Sequence, residues 1–447
     1  MDHVQLARSL FGSSMAFHII FATLGVGLPL MIIAAEVLFQ LRKDSDYATM
    51  ARRWTKGFAI LLGVAIPSGT IVGVMLALLW PGFMEIVGQV ISLPFQIEIW
   101  AFFLEALFMS IYVYAADRLS PWMRIVSVVF VAVGATGSAV LITDAHAWMN
   151  TPRGFTIADG KITDVHPWAA VFNPSFFNTA LHVSLSGYMT GAFAIASIAA
   201  WKLLSRNREP RETAYHRKGL MLALVIGGVM SLATALNGHS TAQMLHQYEP
   251  EKLAAAEGLF ETQAYAPLAI GGIVDKESRE IKGAIEIPGA LSFLAGNRFD
   301  TVVKGLNEFP VENWPPLFVH TLFNLMVMLG SLLIVISFGA LFYRWRKKRP
   351  LPGWMLRVLV LTGPMSLIGI ETGWIFSCSA RQPWTIYHIQ RTAEAATASQ
   401  NLGTLFILFI GLYVMLMCIT ILVLWYYFKR NPVHAELAVK HMGHSGR

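Results

Sequence analysis

Several side chains in this sequence lie in apolar surroundings where they do not belong, and most of them are capable of metal-ligand or proton chemistry. His18 lies in MAFHIIFATLG and His182 in NTALHVSLSGYMTG, while His320, Asn324 and Met326 share VHTLFNLMVMLG. Glu98 and Glu105 stand in IEIWAFFLEALF, and Asp144 and His146 in ITDAHAW. A neutral imidazole or a thioether can ligate haem iron, and the choice of axial ligand tunes its potential. Acids within a membrane are costly and serve proton relays or balance cofactor charge. Glu98 and Glu105 are two helical turns apart, so a regular helix places them close to one face. Each residue also has a plain structural account. A lone histidine near a span end is more often a packed, hydrogen-bonded residue, Met326 is one of 20 methionines, and two glutamates can face a water-filled cleft. The set carries more weight than any member, because several buried polar groups need several compensations. Chemistry alone leads to a haem, metal or ion-translocating membrane protein.

The elements that hold these groups follow from composition. Of 447 residues, 55% are hydrophobic and only 14% charged, against about 25% charged in soluble domains. Apolar runs of membrane-spanning length fall at 11–41, 54–79, 93–116, 124–147, 174–203, 216–236, 315–343, 353–376 and 401–428. The expected fold is an all-α integral membrane protein with about nine transmembrane helices. The first run is too long for a cleavable signal, and Asp2 and Arg8 do not make a compact basic start. Cys378 and Cys418 form no CxxC or CxxCH spacing, which argues against iron–sulfur ligation and covalently attached haem. The net charge of +7 is no nucleic-acid signal, because the basic residues sit in short loops between spans.

Those loops set a topology. Arg42, Lys43, Arg52 and Arg53 follow the first span, Arg118 and Arg124 the third. Lys202, Arg206, Arg208, Arg211, Arg217 and Lys218 follow the fifth, RWRKKR the seventh, and Lys429 and Arg430 the ninth. The alternate loops are poor in basic residues, so the N-terminus is expected outside and the C-terminus in the cytoplasm. Three regions result: helices 1–6 over 1–236, a long external segment over 237–313, and helices 7–9 with a cytoplasmic tail over 314–447. Within the long segment, EPEKLAAAEG predicts a short helix that starts at Pro250, ends at Gly258 and presents Lys252, Glu257 and Glu261. A segment of this length is uncommon without a function.

At ETGWIFSCSARQPW, Glu371 to Trp384, the chain resembles subunit I of the cytochrome bd family of quinol oxidases, whose segment reads GWxxxExGRQPW. Gly373, Trp374, Arg381, Gln382, Pro383 and Trp384 match it, and the likeness covers nearly the whole chain. The resemblance implies that His18 ligates a high-spin haem, and that His182 and Met326 ligate the low-spin haem b. It implies that Glu105 stands beside the high-spin pair, that Glu98 and Ser138 lie on the proton route, and that Lys252 and Glu257 take part in quinol oxidation. Trp374, Cys378 and Arg381 belong to the motif that lines the high-spin centre.

The chain also departs from the pattern. Cys378 replaces the motif's glutamate, Ala380 its last glycine, and Asn324 an arginine near the low-spin haem. The Glu98–Glu105 interval is one residue shorter than the family's, so a local bulge must absorb it or the relay has moved. His146 stands where the family commonly has asparagine, Asp144 has no usual equivalent, and His320 is a further candidate ligand or proton carrier.

The implied activity is quinol oxidation at the outer face, with oxygen reduced to water by cytoplasmic protons. The implied cofactors are a low-spin haem b and a high-spin haem b, with haem d left open at the active centre. The implied setting is a bacterial plasma (inner) membrane. A second multispan subunit is the expected partner, and a small single-span subunit is a further candidate. Two other functions stay open: a bd-like cytochrome with a different donor or acceptor, and a scaffold subunit with an incomplete haem centre.

Overall fold

The computed structural model describes residues 3–115, 118–205, 209–399 and 401–442; Asp2, Arg206 and Arg208 of the sequence reading lie outside the described residues. The chain begins with α1 (His3–Arg42), α2 (Ser45–Leu79), α3 (Pro81–Val90), α4 (Ser92–Ala115) and α5 (Pro121–Asn150). Then come α6 (Pro167–Val171), α7 (Phe176–Leu204), α8 (Pro210–Tyr248), α9 (Pro250–Glu257) and α10 (Ala290–Gly296). It closes with α11 (Val319–Lys347), α12 (Gly353–Val360), α13 (Thr362–Ser379), α14 (Thr392–Ala395), α15 (Leu402–Arg430) and α16 (Val433–Met442). Among the described residues nine helical segments are long and apolar enough to cross a membrane, α12 and α13 together forming one of them. The all-α architecture is as expected.

Among the described residues, strand is confined to two-stranded antiparallel pieces in the connections. These are β1 (Thr156–Ala158) with β2 (Lys161–Thr163), β3 (Leu268–Ile270) with β6 (Ile285–Ile287), β4 (Ile273–Asp275) with β5 (Glu280–Lys282), and β7 (Trp384–Ile386) with β8 (Gln390–Arg391).

Several helices outrun their apolar stretches. The sixth span, expected to end at 236, continues to Tyr248, because the polar run that follows is helix-competent and the first proline comes at 250. Residues 237–248 therefore belong to α8 rather than to the long segment. The eighth span breaks at Leu361 for a related reason. Pro364 cannot donate to the carbonyl of Val360, and the Ser197 hydroxyl of α7 donates there instead. α16 was not expected. It docks through buried Val433 and Leu437 and an ion pair between Glu436 and Arg53 of α2.

Helices α1 and α7 cross at van der Waals contact of their backbones. A β-carbon on Gly27 would lie 2.3 Å from the Gly187 carbonyl oxygen and 2.7 Å from the Gly191 Cα. Small residues at such crossings replace the hydrophobic driving force that lipid does not supply. At the opposite end of the bundle from the polar cluster described below, Glu36 of α1 is buried and takes the Arg124 guanidinium of α5 at 2.7 Å and the Tyr112 hydroxyl of α4 at 2.6 Å. Removing one partner of a buried pair strands the other charge at a cost of about 3–5 kcal/mol. Arg124→Ala is therefore expected to lower the Tm of the purified complex, whereas a surface control such as Lys282→Ala leaves it unchanged.

Candidate haem and quinol site

His182 lies two turns into α7, and its Nδ1 stands 2.9 Å from Oδ1 of Asn237 on α8. A carboxamide oxygen only accepts, so Nδ1 carries the proton and Nε2 keeps a free lone pair. Met326 lies at a similar depth from the same end of the bundle, on α11. A β-carbon on Gly373 of α13 would come within 2.9 Å of its Sδ. The motif glycine thus makes room for the thioether. Gly373→Val is expected to displace the sulfur and cost roughly 1–3 kcal/mol, read as a lower Tm together with an altered visible spectrum.

His18 of α1 faces α2 where Pro67 interrupts the helix ladder, and its Nδ1 lies 3.0 Å from the Ser68 hydroxyl. That hydroxyl donates to the Ala65 carbonyl at 3.0 Å, so its oxygen accepts from the ring and Nε2 is again left free. Among the described residues no group of three or more His, Cys, Asp or Glu could hold a bare metal ion. Single imidazole and thioether donors, each held by one hydrogen bond or by packing, fit an iron whose other positions a macrocycle fills. The donor set therefore fits haem.

A dense polar network joins the motif to the short helix after α8. Asn150, the last residue of α5, accepts through Oδ1 from Arg381 Nη1 at 3.2 Å and from Lys252 Nζ at 3.3 Å. Lys252 also reaches Glu249 Oε2 at 3.2 Å. Arg381 lies 3.4 Å from His146 Nδ1, and the other ring nitrogen of His146 is 2.8 Å from the Ser377 hydroxyl. The His146 ring packs edge-on against Trp374 with centroids 5.4 Å apart. Cys378 lies at the end of α13, within reach of the charges of Arg381, Lys252 and Arg8.

The short helix forms as the residues predict, from Pro250 to Glu257 with Gly258 in the left-handed region at φ 67°. It does not present Lys252 and Glu257 to water. Both are buried, at 4% and 2% exposure, while Glu261 is exposed. The reason is packing: Ala254, Ala255 and Ala256 press against Val319 of α11 and Phe376 of α13, so the helix is enclosed on more than one side. Neither oxygen of Glu257 has a hydrogen-bond partner, and burial pushes its carboxyl up to about 8. Arg381, also buried, has its pKa lowered from the usual guanidinium value by desolvation, against the opposing influence of Cys378 and Glu249.

Glu98 and Glu105 share one unbroken helix, α4, so no bulge absorbs the short interval and the two stay on one face. Ser138 of α5 donates to Glu98, while Glu105 is buried. Both ring nitrogens of His320 are engaged by backbone carbonyls. Its two ring nitrogens lie 2.8 Å from the Ala256 carbonyl and 2.9 Å from that of Gly271, which ties the long segment to α11. Asn324 adds to the tie by accepting from Gly271 N–H at 2.8 Å. Asp144 accepts from Asn173 Nδ2 at 3.0 Å through Oδ1, and its Oδ2 is buried with no partner.

Sequence reasoning missed Asn237, Ser68, Asn150, Ser377 and Glu249. The first four are short polar residues in or at the ends of apolar runs, a signal too weak to separate them from ordinary helix-packing residues, and Glu249 lies in the polar stretch HQYEPEK where a charge is unremarkable. It also missed that Glu251 is held by the Tyr387 hydroxyl and by His388 Nε2 at 3.1 Å, from the turn after Trp384.

A bundle of apolar helices in which His182 and His18 each keep one ring nitrogen unbonded, with a thioether beside the motif glycine, carries donors of the kind a membrane haem protein uses. Residues 6–432 match the family described as cytochrome bd terminal oxidase subunit I. A relative from Bacillus subtilis (strain 168), provisionally named a cytochrome bd menaquinol oxidase subunit I, is 63% identical over 98% of this chain and 99% of its own length. A second from the same organism, a cytochrome bd ubiquinol oxidase subunit 1, is 29% identical over 98% and 95%. The solved structure of bd oxidase from Geobacillus thermodenitrificans superposes with a TM-score of 0.91 at 42% identity, covering 96% of this chain and 99% of the other. The chain belongs to the cytochrome bd terminal oxidase subunit I family. Membership implies terminal oxidase activity in a bacterial membrane complex, haem cofactors, a quinol substrate and pairing with a subunit II.

Proposed function

We propose that the chain oxidises quinol at the outer face and takes part in reducing oxygen to water with protons drawn from the cytoplasm. The observation that carries this reading is the shared Asn150 oxygen, which joins Lys252 of the short helix directly to Arg381 of the motif. The 63%-identical relative is named for menaquinol, which supports menaquinol as the donor. His182 and Met326 would hold one haem, and His18 another with Glu105, Trp374, Cys378 and Arg381 around it; when bound, these groups would supply one-electron transfer and oxygen reduction.

Around that chemistry, the chain's own residues have definable tasks. Asn237 and Ser68 fix the tautomers of His182 and His18. Lys252 favours the anionic form of a quinol oxygen, and Glu257 takes a hydroxyl proton as electrons leave. Glu98, hydrogen-bonded to Ser138, and Glu105 one face-repeat away hold protons on the way to the high-spin place. Residues 249–318 would form the outer face, with the N-terminus outside and the basic ends of α1, α7 and α11 in the cytoplasm. Subunit II is the multispan partner, and a small single-span subunit would add to it.

A second reading, a different donor or acceptor, is favoured by Asn324. Here the position that carries an arginine in the family is neutral and holds the Gly271 backbone instead. One preparation decides between these functions. The complex purified with its partner should consume oxygen with quinol and contain a low-spin haem plus a carbon monoxide-binding high-spin haem. Low-spin haem alone, silent to carbon monoxide, would leave an electron-transfer or scaffold subunit. In the same assay Cys378→Ser should alter the high-spin spectrum if the thiol lies at that iron and leave the low-spin bands in place; unchanged high-spin bands would remove Cys378 from the haem-binding set.

A further inference from the structure

The segment that opens the short helix carries three carboxylates with different surroundings. Glu251 is satisfied, its oxygens taken by Tyr387 and His388. Glu257 has no partner at either oxygen. Glu249 is fully buried; its Oε2 accepts from Lys252 Nζ at 3.2 Å, and its Oε1 has no donor. A buried acceptor left unmet is costly, and such groups persist where something else donates to them. The charged and titratable groups facing Glu249 are Lys252 on its own segment, Arg381 after α13, and the neutral Tyr387 hydroxyl beside Glu251 on the far side.

The substrate class named above brings two hydroxyl donors. Oxidation of a quinol to a quinone removes two electrons, taken by the oxidase, and breaks two O–H bonds, so two protons need acceptors. We propose that Glu249 is a catalytic residue of quinol oxidation: its Oε1 accepts one quinol proton while Glu257 accepts the other. The O–H electron pair stays on the quinol oxygen as it becomes a carbonyl, and the proton rests on Glu249 before passing to the outer water. Lys252 is suited to this exchange. It holds Asn150 Oδ1 as well as Glu249, so it keeps a partner when Glu249 becomes neutral. The inference rests on the quinol-oxidase reading.

The test uses the whole complex with its partner subunit and two electron donors: duroquinol, which must lose protons, and ascorbate-reduced tetramethylphenylenediamine, which delivers electrons without needing a carboxylate. Glu249→Gln is expected to lower kcat with duroquinol at least about tenfold and to leave oxygen uptake from the diamine and the haem spectra unchanged. Glu249→Asp should recover most of the lost rate and keep the unaltered complex's pH profile, which also settles the matter if the glutamine variant assembles poorly. Duroquinol turnover within about twofold of the unaltered complex, or equal losses with both donors, overturns the proposal, the second by making Glu249 a structural counter-ion of Lys252. Failure of the unaltered complex to oxidise any quinol would instead sink the quinol-oxidase reading itself, a result recognisable because Glu249 is then intact.

Discussion

His182→Ala should give a complex with no low-spin haem. The free Nε2 is the donor that the Asn237 bond leaves open, and alanine has no atom to replace it. On the proposed electron route this removes the first acceptor, so quinol-driven oxygen uptake should fall to background. Pyridine haemochrome analysis and a reduced-minus-oxidised spectrum would show the loss directly. Asn237→Leu is a subtler companion: the ligand stays but its tautomer is no longer fixed, and outer-shell changes of this kind cost about 10–100-fold in affinity or activity. A full low-spin signal in His182→Ala would exclude this histidine as the ligand.

The second large effect concerns Glu257. Its buried carboxyl is pushed up to about 8, so at neutral pH it is mostly protonated and cannot accept a proton. If ionised Glu257 is the base, kcat/KM for quinol should rise with pH and level off above about 8. Glu257→Gln should lower the rate by about 10²-fold or more and abolish that rise. Stability should move the other way. The folded state holds this proton more tightly than the unfolded chain, whose glutamate titrates near about 4.3. This residue's contribution to stability is therefore fully present below about 4.3 and lost as pH rises to about 8. At pH about 9 the glutamine variant, having no charge to bury, should melt higher than the unaltered complex. A variant with normal quinol turnover would remove Glu257 from the proton path. One with lost turnover and a lower Tm at high pH would give it a structural part instead.

Much of this was legible in the residues themselves. Apolar runs longer than a bilayer core force helices, since backbone groups in lipid must be satisfied within the segment. Ionisable side chains in those runs are costly, so His18 and His182 stood out before any contact was known, while the ligand roles of both, and that of Met326, followed from the family resemblance. Pro250 and Gly258 bounded the short helix because one cannot continue a helix backward and the other takes a left-handed cap with ease.

The tertiary structure decided what linear spacing has no means to encode. His320 and His182 look alike in sequence, each a histidine in an apolar run, yet two backbone carbonyls occupy both nitrogens of His320 while His182 keeps one free. Lys252 looked like an exposed helix charge, but the packing of three alanines against α11 and α13 buries it beside Asn150 and Arg381. Length, periodicity and side-chain type follow from local covalent geometry and the cost of desolvation, which act residue by residue, so the sequence alone determined the helices and the inventory of reactive groups. Which nitrogen is free, which carboxylate lacks a donor and which cations share one oxygen depend on residues brought together from distant helices, and only packing could settle them.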